Sequence, residues 1–373
     1  MKIALVHHKN PDNIRAFSGI SHYMTRAIKD EFPTAVEFNL FSAPAVNNEL
    51  FKGDFRQNLM SFGTCLNRYI KRNNVSADFI FCQGGNAAIP FYRGDIPVFY
   101  WNDSTWNSYL SGYQTHQKFK EFKKEYPNLY YWDRKALDRA DLILFSSDYV
   151  AEACLCNYKI PARKIKVVPF GANLASAPTN EILKQSLTRK LDNNVLNLTF
   201  LGKDWQRKGL PVAYQLTRKL NMMGIATKLN VIGCQPAKNY LRDNGNIKIY
   251  GRFNKQLEQD MVKFNRILES THFLIHPAKS EPFGIALCEA NAYGIPVIGT
   301  DVEGLNTIIV DGRNGYKFPH IRFLSDASEI IMNLFKDKQA YETLSLSSNA
   351  EFKERLNWKT NVVKVKELLE AYT

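Results

Sequence analysis

Two glutamates flank a glycine at Glu281, Gly284 and Glu289. They follow an apolar run that ends at His276-Pro277, and they lead into a helical pattern. A glycine between a strand and a helix leaves backbone N–H groups free to bind a phosphate, and the helix dipole favours the negative charge. Carboxylates repel phosphate but accept hydrogen bonds from hydroxyl groups. The pattern fits a nucleotide-sugar, and a helix with acidic residues at its start and no ligand is the alternative.

A second polar stretch, residues 202–209, carries Lys203, Arg207 and Lys208 between two glycines. It also follows an apolar run and precedes a helical pattern. The glycine spacing and the missing terminal Lys-Ser/Thr pair exclude a P-loop. Three cations in six residues can clamp a diphosphate, and a basic turn exposed to solvent is the alternative.

Short apolar runs alternate with helical patterns along the chain, which predicts parallel sheets with helices on both faces. Runs such as Ile-Ala-Leu-Val at 3–6 lack a period of two, and this indicates strands buried on both sides. A linker rich in Ala, Ser, Pro and Asn at 172–180 separates two series of strands. The predicted strands cover 2–8, 79–83, 97–101, 142–146, 165–169, 196–202, 227–233, 247–251, 272–277 and 296–300.

These elements predict an α/β protein with two Rossmann-like, doubly wound domains that face each other across a cleft. The predicted domains are 1–172 and 173–357, and the helix within 358–373 is expected to return to the first. Ligands of such sheets bind beyond the carboxyl ends of the strands. Both polar stretches follow predicted strands, so the fold places them at that edge.

The composition limits the choice of partner. The 373 residues carry a net charge of +13, which suggests an anionic partner. Residues 1–172 hold 22 basic and 16 acidic side chains and the rest hold 27 and 20, so the excess is +6 and +7. An even spread weakens the case for nucleic acid. Six cysteines without a C-x-x-C pair indicate reduced thiols and no structural zinc.

Together, the two polar stretches resemble those of the retaining, GT-B-fold glycosyltransferases of family 4. Glu281 and Glu289 match the family's E-x7-E pattern. Lys203 and Lys208 resemble its basic pair, with Lys203 where arginine is usual. The segments at 168–173, 292–298 and 311–315 also resemble family segments. The resemblance covers nearly the whole chain and is strongest over 196–318.

The resemblance implies where a nucleotide-sugar binds. The diphosphate is expected on the backbone amides of Phe283, Gly284 and Ile285. Glu289 is expected to bind the ribose hydroxyls, and Glu281 the hydroxyls of the transferred sugar.

The resemblance also implies which groups assist departure of the nucleotide. Lys203 and Lys208 are expected to neutralise the leaving diphosphate, with Arg207 as a helper. Gly233 and Arg252 follow or end predicted strands and are expected to line the base pocket.

Two departures from the family pattern affect the sugar and the acceptor. Many members have a His-Asp pair where this chain has Asn102-Asp103. Asp103 either takes part of the role of that histidine or caps the following turn. Where the family has an acidic residue after its late Gly-Gly turn, this chain has Thr307. Where the family has the first of those two glycines, this chain has Glu303.

The first domain carries weaker signals. Gly19 opens a predicted helix, as in the glycine-rich acceptor-side loop of the family. His7 and His8 end the first strand and either pack or face the cleft. The stretch 113–135 mixes aromatic residues with lysines, which fits a solvated helix or, alternatively, a face that contacts an anionic membrane or binds the acceptor.

The sequence therefore predicts a retaining hexosyltransferase that moves a sugar from a UDP- or GDP-linked donor to a glycan, lipid or protein acceptor. No Asp-x-Asp pair occurs in the chain, so no metal or other cofactor is expected. The alternatives are a nucleotide-sugar epimerase of the same fold and a basic nucleic-acid-binding protein. No apolar run is long enough for a transmembrane helix and the N-terminus lacks a signal-peptide core, so a cytoplasmic location, with or without membrane contact, is expected.

Overall fold

The computed structural model describes residues 1–8, 10–14, 16–39, 55–113, 120–121, 124, 128–236 and 245–372. The chain divides into two compact units. We call Met1–Pro169 with Asn361–Thr373 the first unit and Phe170–Thr360 the second unit.

In its described part, the first unit holds a sheet of six parallel strands in the order β2-β1-β3-β4-β5-β6. The inner strands are fully buried because both faces are covered, and their sequences are apolar without alternation. The strands are β1 Ile3–His7, β2 Val36–Asn39, β3 Phe79–Gln83, β4 Val98–Asn102, β5 Leu142–Phe145 and β6 Ile165–Val167.

Helices of the first unit connect these strands. One of them, α1, begins after three consecutive residues with a left-handed backbone, Phe17, Ser18 and Gly19. The helices are α1 Ile20–Glu31, α2 Phe55–Arg72, α3 Trp106–Tyr113, α4 Leu129–Arg139 and α5 Asp148–Tyr158.

The described part of the second unit repeats this plan with a parallel sheet in the order β12-β11-β10-β7-β8-β9. The strands are β7 Leu196–Leu201, β8 Thr227–Ile232, β9 Ile247–Gly251, β10 Phe273–His276, β11 Val297–Thr300 and β12 Gly315–Phe318. The helices are α6 Asn180–Leu191, α7 Leu210–Met222, α8 Glu258–Ser270, α9 Ile285–Ala292, α10 Leu305–Ile308, α11 Phe323–Lys336 and α12 Lys338–Arg355.

The last helix, α13 (Trp358–Glu370), starts in the second unit, and its remainder packs in the first. Lys366 donates to the Glu31 carboxylate at 2.7 Å. Beyond the helix, the Tyr372 ring meets Phe99 edge-on with 5.2 Å between the ring centres.

The two parallel sheets confirm the predicted α/β fold. Each predicted strand is present with ends shifted by at most two residues. The sequence analysis missed β2 and β12, and both are edge strands. In the described residues, no helix is both long and apolar enough to cross a membrane.

Candidate active site

Two turns meet at the carboxyl edge of the second sheet. One joins β7 to α7 through residues 202–209, and the other joins β10 to α9 through residues 277–284. Because β7 and β10 are paired neighbours, their carboxyl ends lie side by side. The Lys279 amide donates to the Arg207 carbonyl at 2.8 Å, and the Arg207 guanidinium donates to the Ser280 carbonyl. The two polar stretches of the sequence therefore form one surface.

Glycines allow this close approach. Gly209 has a φ of 81°, and a Cβ there would lie 2.0 Å from the Pro277 carbonyl oxygen. Gly284, with a φ of 105°, directly precedes the first residue of α9. Both positions require glycine, since a side chain would be strained or would clash.

The start of α9 leaves backbone donors available. Among the described residues, none accepts a hydrogen bond from the amides of Phe283, Gly284 or Ile285. The Phe283 ring packs edge-on against Phe170, with 5.4 Å between the ring centres, and so holds this turn against the body of the second unit. The amides and the helix dipole together make a place for an anion.

Glu281 is buried in a cluster of donors. Its Oε2 accepts from the Lys208 ammonium at 2.5 Å and from His276 Nε2 at 3.2 Å, and lies 3.5 Å from the Arg207 guanidinium. Burial acts to raise the pKa of this carboxyl, but the Lys208 charge and the His276 hydrogen bond hold it well below its usual range. Glu281 is thus ionised, and the described residues give its Oε1 no partner.

His276 supports Glu281 as a neutral donor. Its side chain is fully buried, and burial together with the Lys208 charge lowers its pKa. The bond to the carboxylate places the proton on Nε2. Sequence reasoning did not select His276, although a histidine at the end of a buried strand was a usable signal.

Glu289 lies one turn inside α9 and is paired with a different lysine. Its Oε1 accepts from the Lys255 ammonium at 2.6 Å, and this ammonium also donates to the Asn173 carbonyl at 2.8 Å. Glu289 is almost fully buried. Sequence reasoning missed Lys255, which stands four residues after the Gly251 strand end.

Lysines and arginines converge around these carboxylates. Partial burial and the positive charges of Arg252, Lys255 and Lys208 lower the pKa of Lys203. A lysine whose neighbours are cations marks a region of positive potential. The site can therefore bind an anion while its two carboxylates remain available to hydroxyl groups.

The ends of β8 and β9 adjoin the same edge. The Gly233 amide donates to the Gly251 carbonyl at 2.7 Å. A Cβ on Gly233, whose φ is 95°, would lie 2.9 Å from the Gly202 carbonyl oxygen. The structure thus brings Gly233 and Arg252 beside the basic turn, as their predicted placement at strand ends requires.

The loop before α10 braces the Glu281 turn. The Glu303 carboxylate accepts from the Ser280 hydroxyl at 2.8 Å and from the Glu281 amide at 2.7 Å. The Gly304 amide donates to the Glu281 carbonyl at 3.1 Å, and a Cβ on Gly304 would lie 1.8 Å from the Pro282 oxygen. Glu303 has a φ of 42°, a conformation that favours glycine. Glu303, which stands where the family has a glycine, therefore holds the Glu281 turn with its side chain.

In the first unit, the residues at and after the end of β4 form a hydrogen-bonded network. The Asn102 amide donates to the Tyr100 hydroxyl at 2.6 Å and to the Ser104 carbonyl at 2.9 Å. Asp103 accepts from the Ser104 hydroxyl at 3.2 Å.

The cap of α3 comes from other residues. The Thr105 amide donates to the Ser108 hydroxyl at 2.9 Å, and the Ser108 amide donates to the Thr105 hydroxyl at 3.2 Å. This reciprocal pair has the form of a capping box. This pair satisfies backbone amides at the start of α3, next to Asp103.

The two histidines of β1 are held in the first unit. His7 is buried between Glu37 at 2.9 Å and Gln83 at 2.5 Å, and His8 Nε2 accepts from the Ala87 amide at 3.1 Å. Much of the predicted aromatic and basic face within 113–135, including 114–119, 122–123 and 125–127, lies outside the described residues. The described residues hold no cluster of three or more His, Cys, Asp or Glu side chains that could bind a metal.

Comparison with known proteins identifies the family. Residues 180–351 match the model of the family Glycosyl transferases group 1, and residues 22–176 match that of Glycosyltransferase Family 4. The D-inositol 3-phosphate glycosyltransferase of Paenarthrobacter aurescens is 23% identical over 221 residues, which are 57% of this chain and 53% of that protein. The chain spans about half the length of the curated relatives it matches.

Solved structures share the fold across the whole chain. Sucrose-phosphate synthase from Thermosynechococcus elongatus has a TM-score of 0.71 at 15% identity, covering 100% of this chain and 99% of that one. Anabaena HepE, in complex with UDP and glucose, has a TM-score of 0.64 at 16% identity, covering 99% of each chain. The fold is therefore GT-B. Since the two family models together match most of the sequence, the chain belongs to the glycosyltransferases.

Proposed function

We propose that the chain transfers a sugar from a nucleotide-sugar to an acceptor hydroxyl with retention at the anomeric carbon. The observation that carries this proposal is the positive region around Lys203, which adjoins the two buried carboxylates Glu281 and Glu289. A diphosphate needs the cations, and the sugars on either side of it need the carboxylates. HepE, which shares the fold, was solved with UDP and glucose, and this supports a nucleotide-sugar donor.

The proposed binding roles use groups that the site leaves available to a ligand. The amides of Phe283, Gly284 and Ile285 would hold the diphosphate because they have no acceptor among the described residues. Glu289 would bind the ribose, and Glu281 would use Oε1 for a hydroxyl of the transferred sugar.

Other contacts support the base and the diphosphate. Gly233 and Arg252 would line the base pocket at the ends of β8 and β9. Arg207, bonded to Ser280, would add charge beside the phosphates.

Lys208 is the group that we assign to the leaving diphosphate, together with Lys203. In the structure, its ammonium bonds Glu281, and a phosphate oxygen nearby would compete for that proton donor. As the bond from the anomeric carbon to the phosphate oxygen breaks, negative charge grows on the diphosphate. Pre-placed cations stabilise that charge in the transition state.

The chemistry requires no protein nucleophile in this scheme. The acceptor oxygen forms its bond on the face that the diphosphate leaves, so the configuration is retained. The acceptor proton passes to the leaving phosphate oxygen. Asp103 would orient the acceptor or the sugar by a charge-assisted hydrogen bond. The cations take the counter-charge role, so we propose that no divalent metal is needed.

The acceptor side belongs to the first unit in this proposal. Gly19 would lie in the acceptor-side loop, directly before α1, and the acceptor is a glycan, a lipid or a protein. We further propose that the enzyme works in the cytoplasm, where nucleotide-sugars are its donors, with peripheral contact to an anionic membrane when the acceptor is a lipid.

The test is an assay of UDP- and GDP-sugars with and without candidate acceptors, read by nucleotide release and by NMR of the product anomer. We expect acceptor-dependent release, an unchanged anomeric configuration and full activity in excess chelator. Release of nucleotide and free sugar at a rate that no acceptor changes would favour an epimerase. Activity that chelator abolishes and magnesium or manganese restores would refute metal independence.

A further inference from the structure

Lys255 differs from the other lysines of the site in how it is held. Its ammonium lies between Glu289 Oε1, at 2.6 Å, and the Asn173 carbonyl, at 2.8 Å. It also lies 5.5 Å from the centre of the Phe264 ring. The side chain is about three-quarters buried, with 26% exposed. An ammonium with these three contacts has a fixed position.

The Asn173 carbonyl is a rigid anchor for that ammonium. Asn173 is fully buried, and its side-chain oxygen accepts from the Trp358 indole at 2.9 Å. The neighbouring Ala172 amide donates to the Leu356 carbonyl at 3.0 Å. The backbone that holds Lys255 is therefore tied down on both sides, independently of any ligand.

Lys208 provides the contrast. The described acceptor for its ammonium is Glu281, the group that we assign to a sugar hydroxyl. A diphosphate can draw Lys208 away at the cost of one contact. Drawing Lys255 away would break its bond to a buried carbonyl, which would then lack a donor. Lys255 therefore stays paired with Glu289 when an anion binds.

A carboxylate with one oxygen fixed presents the other in a fixed direction. Lys255 occupies Glu289 Oε1, and the described residues give Oε2 no partner. We propose that Lys255 is a positioning residue that orients Glu289 toward the ribose hydroxyls and thereby makes the site select ribonucleotides over deoxyribonucleotides. This inference rests on the proposed role of Glu289 in binding ribose.

The proposal distinguishes orientation from simple charge. A lysine that acts only through its charge would strengthen the binding of any nearby anion by a similar factor. A lysine that acts through Glu289 affects only ligands that carry the hydroxyls. Comparison of ligands with and without those hydroxyls separates the two roles.

The experiment uses Lys255→Met and measures Kd by calorimetry for UDP, GDP, their 2′-deoxy and 3′-deoxy analogues, and pyrophosphate. For the wild type, we expect whichever of UDP and GDP has the lower Kd to bind at least about tenfold more tightly than its own deoxy analogues. In Lys255→Met, we expect this ratio to fall below about threefold, with a much smaller change for pyrophosphate. Lys255→Arg, which keeps a donor, should restore most of the ratio.

Two controls keep the result interpretable. Lys228→Met removes the same charge from the amino end of β8, where the side chain is exposed, and should leave every Kd unchanged. If Lys255→Met does not fold, judged by its melting curve, Lys255→Gln supplies a neutral polar side chain that is too short to hold Glu289 Oε1 as Lys255 does, and the ratio should still fall.

The outcomes separate this inference from the proposed function. If Lys255→Met weakens the binding of ribonucleotide, deoxynucleotide and pyrophosphate equally, Lys255 acts only through its charge and the inference is overturned. A wild-type ratio near one would overturn the assignment of Glu289 and, with it, the role of Lys255. A wild type that binds no nucleoside diphosphate would refute the proposed function itself.

Discussion

The carboxyl edges of the two sheets are built from different polar groups. In the first unit, His7 bonds Glu37 and Gln83, and Asn102 bonds the Tyr100 hydroxyl. In the second unit, Lys208 and Lys255 pair with buried glutamates, and further cations surround them.

The difference between these edges concerns buried ion pairs and not the fold. Both sheets are parallel, have six strands in the described residues, and bury most of their central strands. Burial lowers the pKa of His7, so this edge of the first unit carries a neutral histidine. The second edge keeps ion pairs that an anionic ligand can rearrange. A shared fold thus leaves function to the side chains at the strand ends.

The largest effect is expected from Lys208→Ala in the charged edge. The variant lacks a donor that acts as charge develops on the leaving diphosphate, so kcat should fall by about 10²–10³. Steady-state kinetics under donor saturation measure this change. Lys279→Ala removes an exposed lysine from the adjoining turn and should keep most of the activity. A normal kcat for Lys208→Ala would leave Lys208 only its structural bond to Glu281 and no part in the reaction.

Glu289→Ala sharpens the comparison within the charged edge. Loss of a charged hydrogen-bonding group costs about 1.5–3 kcal/mol, so nucleotide affinity should weaken roughly 10- to 100-fold. Calorimetry with UDP or GDP checks this value. Glu269→Ala, which removes a glutamate paired with Arg189 on the surface, serves as the control. Unchanged affinity in a folded Glu289→Ala protein would sink the ribose assignment.

Glu281→Gln tests whether the ion pairs stabilise the second unit. Burial alone would raise the pKa of Glu281, but Lys208 and His276 lower it below the ordinary value of 4.5. The stabilisation is therefore complete above pH 4.5 and is lost as the pH falls below that value. Urea unfolding at pH 7 should show a loss of about 1–3 kcal/mol.

The same pair of proteins gives a test at low pH. The gap in the free energy of unfolding between wild type and Glu281→Gln should narrow from pH 4.5 downwards. A gap of constant size between pH 7 and pH 3 would show that the carboxylate charge is not what stabilises the fold.

The smallest effect is expected from Asp103→Asn in the first unit. Turnover should fall about three- to tenfold, as expected for loss of one hydrogen bond, while nucleotide Kd and Tm stay unchanged. The Tm should hold because Thr105 and Ser108 cap α3. Asp138→Asn, on the surface of α4, is the control. Full activity of Asp103→Asn would direct the search to Asn102, His7 and His8.

The sequence predicted the central strands because burial on both faces leaves a plain apolar run. Edge strands carry a weaker pattern: β2 reads Val-Glu-Phe-Asn and β12 reads Gly-Tyr-Lys-Phe, and both escaped prediction. Their pairing with β1 and β11 comes from the sheet and not from local preference. A local hydrophobic pattern shows whether a segment is buried. It predicts strand pairing only for segments that are both buried and paired.

The candidate site likewise contains residues that the sequence predicted and residues that it did not. Glu281, Glu289 and Lys208 stand in local motifs with regular spacing, so the sequence selected them. Lys255 meets Glu289 across 34 residues, and Glu303 meets Glu281 across 22. Such partners depend on which strand ends become neighbours, and a single sequence contains no local sign of that.

The bonds between the turns bear on the entropy of ligand binding. The Lys279 amide on Arg207, the Gly304 amide on Glu281 and the carboxylate of Glu303 on the Glu281 amide already fix the backbone around the diphosphate position. A flexible loop would have to be ordered at each binding event, and that cost would reduce affinity. Here the backbone is already ordered in the folded protein, so ligand binding does not carry that entropy cost. Calorimetry of the donor complex should accordingly show a small conformational entropy penalty, and amide exchange at Lys279, Glu281 and Gly304 should be slow even before the nucleotide arrives.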